Sequence, residues 1–132
     1  MGISSSAETA TLAMDSTGRL WVCYDSSSKV KVRYSDASSS YSSWSAEITV
    51  GSGVKTDDIG AITAFGSDKI GVLWSNQYTT LFGFRYHIDS DDPSNWSADE
   101  QPSSQTAANV GGGIADDHMN MAVASDGTIY AA

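Results

Sequence analysis

Two kinds of cluster in this 132-residue chain could do chemistry at a surface. Acidic groups stand ahead of β-rich runs, as Asp57-Asp58 before Ile59 and Asp116-Asp117-His118 before Met119. Aromatic, acidic and amide side chains follow such runs, as Tyr24-Asp25 and Asn76-Gln77-Tyr78. Rings of this type stack on the apolar faces of sugars, amides and carboxylates hydrogen-bond hydroxyls, and a carboxylic acid beside another carboxylate can be raised toward general-acid duty. The plainer reading of Asp58 and Asp117, which recur at equivalent positions, is that they bond backbone amides of neighbouring units and set the spacing between those units. A hard-cation site at Asp116-Asp117-His118 is disfavoured because adjacent strand residues point to opposite sides, so neither metal nor cofactor is expected.

The elements that must position these residues repeat along the chain. Ile59 to Phe65 and Lys69 to Ser75 are β-rich runs separated by the turn Gly66-Ser67-Asp68, which predicts an antiparallel hairpin. An earlier copy places Leu20 on Ile70, Val22 on Val72 and Tyr24 on Trp74, an offset of 50. A third strand follows in each unit, Lys29 to Ser35 and Thr80 to His87, with Arg33-Tyr34 matching Arg85-Tyr86. Ten residues after each of those tyrosines comes a tryptophan, giving Trp44-Ser45-Ala46-Glu47 and Trp96-Ser97-Ala98-Asp99, each expected to open a fourth strand. A third copy begins near Asp117, with Ile129 on Ile70 at an offset of 59.

Repeats of this length, each with four short strands and no helical periodicity, predict an all-β chain of β-propeller blades built as four-stranded antiparallel meanders. The expected boundaries are 7–52 and 57–106, with the start of a third blade at 116–132. Propellers close with about four to eight blades, so the chain is expected to combine with the remaining blades of a longer polypeptide or with other copies of itself. In such a meander, the turns after the second strands share an edge with the segments leading into the first strands. That edge would gather Tyr24, Asp25, Asp57, Asp58, Asn76, Gln77, Tyr78, Asp116, Asp117 and His118.

Composition narrows the partners. A net charge of −9, from 16 acidic against 7 basic residues, would repel a phosphate backbone, so nucleic acid is not expected. No stretch has the length and apolarity of a membrane span, and Met1 to Ala7 lacks the basic start and apolar centre of a signal peptide. The single Cys23, inside Leu20-Trp21-Val22-Cys23-Tyr24, reads as a buried small hydrophobe.

With the repeat in view, the chain resembles the sialidase-like propellers that carry Asp-box (BNR) repeats, over nearly its whole length. The family motif Ser-x-Asp-x-Gly-x-x-Trp occurs in altered form as Ser35-Asp36 with Trp44, and as Asp89 with Trp96, lacking the glycine and with a longer acid-to-Trp spacing. The resemblance implies that Ser35, Asp36, Trp44, Asp89 and Trp96 are structural, closing turns and packing between strands, and that the pocket opens on the other face. It implies glycan recognition, or a part in a glycoside hydrolase-like protein of sialidase type, and an extracellular or cell-surface setting. Sialidase catalysis needs three arginines around the substrate carboxylate. Here Arg19 is expected on the wrong face and Arg33 and Arg85 near the far end of the third strands, so no complete active site is expected. The alternative is a non-catalytic structural or protein-interaction propeller.

Overall fold

The computed structural model describes residues 7–100 and 119–132. Among these the chain is all-β, with nine strands in antiparallel sheets and one 3₁₀ turn at Ala37–Ser39. The first sheet is a four-stranded meander of β1 (Ala10–Met14), β2 (Leu20–Asp25), β3 (Lys29–Ser35) and β4 (Ile48–Ser52). The second holds β5 (Gly60–Phe65), β6 (Lys69–Asn76) and β7 (Leu81–Ile88), and a hairpin of β8 (Met121–Val123) and β9 (Ile129–Ala131) follows.

The fourth strand expected in the second unit is represented only by a bridge between Glu100 and Phe84; the stretch from 101 to 106 lies outside the described residues. The fourth strand of the first unit starts at Ile48, not at Trp44. Ser45 accounts for the delay. Its hydroxyl accepts from Tyr34 N at 3.1 Å and donates to Ala46 O, so the side chain supplies one of the bonds a ladder would make. The second unit does the same: Tyr86 N donates to Ser97 Oγ at 3.0 Å, and Ser97 N reaches Tyr86 O at 2.8 Å as Ser45 N reaches Tyr34 O at 2.9 Å.

Turn chemistry fixes each register. Ser27 and Ser28 both have left-handed backbones, with φ of 57° and 56°, making the tight β2–β3 hairpin closed by reciprocal Ser26–Lys29 bonds. Gly18 supplies the positive φ that the β1–β2 turn requires.

The core lies between the first two sheets. Trp21, Cys23, Val30, Val32 and Val50 of the first meet Ile62, Ile70, Val72 and Trp74 of the second, with Val54 between them in sequence. These residues alternate along their strands, so a single face of each sheet contributes. Trp21 is fully buried, its ring centroid 5.2 Å from those of Tyr34 and His87 and 5.7 Å, edge-on, from Trp96. The first strands of the units pack together: β5 contacts both β1 and β8. Thr11 fastens the first pair, its hydroxyl donating to Gly60 O and accepting from Ile62 N at 3.0 Å. Close approach around Trp74 depends on glycine. A Cβ at Gly83 would stand 2.2 Å from the Trp74 ring and one at Gly51 3.0 Å, so the indole is held between two bare backbones.

Candidate functional site

The registers place the β2–β3 hairpin, the β6–β7 loop and the segment leading into β5 at one edge of the sheets. The β1–β2 and β5–β6 turns lie at the other, with the segments that follow β3 and β7. The first edge therefore holds Tyr24, Asp25, Asp57, Asp58, Asn76, Gln77 and Tyr78. Asp116, Asp117 and His118 lie outside the described residues.

Asp58 organises this edge from a fully buried position. Its carboxylate accepts from Lys55 N at 2.5 Å, from Gln77 N at 3.1 Å and from the Ser75 hydroxyl at 3.2 Å, and that hydroxyl accepts from Ile59 N. One side chain thus ties the approach to β5 to the β6–β7 loop, through partners that all lie in its own unit or the segment leading into it and not in a neighbouring one. The loop it pins is presented outward. Asn76 Oδ1 accepts from Tyr78 N, Lys55 Nζ donates to Gln77 Oε1 at 3.3 Å and stands 5.7 Å from the Tyr78 ring centroid, and Tyr78 is 68% exposed. Asp57 beside them is half-buried.

Tyr24 and Asp25 are buried instead, because β2 is covered on both faces. Tyr24 donates its hydroxyl to Glu47 at 2.7 Å, and burial together with that bond pushes the phenol well above its ordinary range. Burial also raises the Asp25 carboxyl, helped by the nearby charges of Glu8 and Asp58 against the lowering effect of backbone amides. One oxygen of Asp25 is buried without a partner among the described residues.

The opposite edge carries the turn carboxylates. Asp36 binds Arg19 of its own sheet at 3.0 Å, and the arginine stacks over Tyr34 at 4.7 Å. Asp89 instead reaches the first sheet, accepting from Ser16 N at 2.9 Å and from its hydroxyl at 2.6 Å. The two acids are not register equivalents. Ser35 opposes Leu20 as His87 opposes Ile70, which aligns Asp36 with Ile88. Ser35 and His87 play one role, each bonding a backbone carbonyl eight residues on, at Ser43 and Asn95. Trp96 packs on Trp21, whereas the half-buried Trp44 makes no ring contact among the described residues.

Asp15 carries the most heavily bonded turn, and sequence reasoning passed over it. One oxygen accepts from Thr17 N, Thr17 Oγ1 and Arg19 N, and the other from Trp21 Nε1 at 2.8 Å. Burial pushes this carboxyl up, but the bonds from Thr17, Trp21 and the amides outweigh it and hold it below the ordinary carboxylate value. The spacing Asp15-x-x-Gly18-x-x-Trp21 was the available signal.

Arg85 was expected near the far end of its strand. It sits mid-strand opposite Val72 and lines a cleft of about 160 Å³ with Asn76, so it opens toward the loop edge. Cys23 is fully buried and its thiol is pushed far up by burial, which leaves it unreactive. Among the described residues no group of acids, histidines or cysteines is placed to hold a metal, and no helix is long and apolar enough to cross a membrane. Searches of protein-family models, of curated proteins and of solved structures found no match to the chain.

Proposed function

We propose that the two sheets are successive blades of a sialidase-like propeller, and that the loop edge recognises a glycan without a complete active site in this chain. The stacking favours blades. The first strands of the units pack together, and each unit builds the same serine bridge after its third strand. Leu12 and Met14, 60% and 50% exposed, hold the positions of Ile62 and Ala64 one unit on. Since Ile62 is buried against the first sheet, a further blade or another copy is the natural cover for Leu12.

The observation that carries the glycan reading is the Asp58-pinned loop, which offers an exposed ring and adjacent amides in a fixed arrangement. Preorganisation of this kind lowers the ordering cost of binding. Arg19, Arg33 and Arg85 stand on or beside separate strands, and Arg19 is committed to Asp36 at the other edge. No catalytic step is assigned. On a glycan array, Tyr78→Ala and Gln77→Ala should each lower the bound signal about tenfold while the melting temperature stays within the range of a surface change. Absence of binding by the unmodified chain would favour the protein-interaction reading instead.

A further inference from the structure

We infer that the cleft between the two sheets, formed by Trp74, Asn76, Arg85 and Asp99 against the edge of β4, is a subsite for one neutral sugar ring. The inference rests on the glycan reading and adds a location and a ligand class to it.

The two units supply an internal comparison. Tyr24, Arg33 and Glu47 of the first correspond to Trp74, Arg85 and Asp99 of the second. In the first unit the acid is already committed: Glu47 accepts from Tyr24 at 2.7 Å and from Lys31 at 2.8 Å, bonds that hold its carboxyl below the ordinary value. The second unit has lost both donors to that acid. Trp74 replaces the tyrosine, and Gly83, which matches Lys31, leaves room for the indole. Asp99 is exposed and makes no hydrogen bond or ion pair with a described residue, and the Nε of Arg85 is buried with no partner among them. Donor and acceptor thus line one cleft without being bonded to each other.

That pair suits adjacent hydroxyls on one ring, one accepting from the guanidinium and its neighbour donating to the carboxylate. Among the described residues β4 pairs only with β3, so the Thr49–Ser52 backbone adds peptide groups with no strand partner among them along one wall. Trp74, 4% exposed and clamped by Gly51 and Gly83, is a rigid wall. An anion would meet Asp99 in a chain of charge −9, and a metal ion would meet Arg85, so a neutral polyol is the class that fits. A cleft of about 160 Å³ is on the scale of one sugar ring.

The test titrates the full chain with D-glucose, D-galactose and D-mannose, and separately with acetate and inorganic phosphate, by saturation-transfer NMR. At least one neutral sugar should bind, about tenfold more weakly to Arg85→Gln and to Asp99→Asn and equally well to Glu47→Gln. Asp99 is exposed, so its variant keeps the test readable if Arg85→Gln perturbs the fold. Acetate or phosphate binding that strengthens in Asp99→Asn, with no neutral sugar bound, would overturn the inference in favour of an anion site. Glycan-array binding that survives both substitutions but is lost in Gln77→Ala would overturn the subsite and leave the glycan reading standing. Failure of the unmodified chain on both the array and the monosaccharides would remove both.

Discussion

Replacing Trp21 with alanine is expected to destabilise the chain by about 3–5 kcal/mol, the cost of removing a large aromatic side chain from a close-packed interior. The residue is fully buried where the two sheets meet, with Tyr34 from its own sheet on one side and His87 and Trp96 from the second unit on the other. Truncation would open a cavity between the sheets and strand the Asp15 oxygen that accepts its indole N–H. Trp44→Ala, which removes a half-buried ring with no aromatic neighbour among the described residues, should cost less than half as much. Urea unfolding of the two variants, followed by tryptophan fluorescence and circular dichroism, checks the difference; equal losses would mean that Trp21 does not bridge the sheets.

Asp15→Ala is expected to cost about 2–3 kcal/mol, because it leaves the Trp21 indole N–H and the turn amides of Thr17 and Arg19 without their acceptor. Its folded-state carboxyl lies below the ordinary value, so its stabilising effect is fully present above the ordinary carboxylate range and is lost as pH falls through and below it. Asp25 works with the opposite sign. Its raised carboxyl is costly to keep charged at neutral pH, and that cost is relieved as the solution is acidified. The wild-type pH profile mixes the two effects, so the informative quantity is the difference between wild type and Asp15→Asn. That gap should narrow from neutral pH into the acid range. A gap that stays constant or widens would contradict the hydrogen-bonding account of this turn.

The strands were legible because hydrophobic alternation and turn residues act locally. Val30 and Val32 alternating with Lys31 and Arg33 marked β3, and Gly66-Ser67-Asp68 marked the β5–β6 turn. The serine bridges explain why the Trp-Ser-Ala-acid repeat stood out: Ser45 and Ser97 do the same work on Tyr34 and Tyr86. Side-chain commitments were harder to read. The run Leu20 to Asp25 is apolar almost throughout, a pattern that goes with burial on both faces, yet Tyr24 and Asp25 were assigned to the binding edge on topology alone. Asp15 was passed over because its partners, Thr17, Arg19 and Trp21, converge on it only through the fold of the hairpin. The Arg85 cleft needs two sheets in place before it exists.

The central structural claim is that the second unit stacks on the first through its repeated tryptophan, and a double-mutant cycle on Trp21 and Trp96 tests it most directly. Unfolding free energies of Trp21→Ala, Trp96→Ala and the double variant should show coupling of about 0.5–1.5 kcal/mol, since either single change already breaks the edge-on contact. Strict additivity of the two losses would mean that the sheets do not meet there, and the blade reading would fall with that contact.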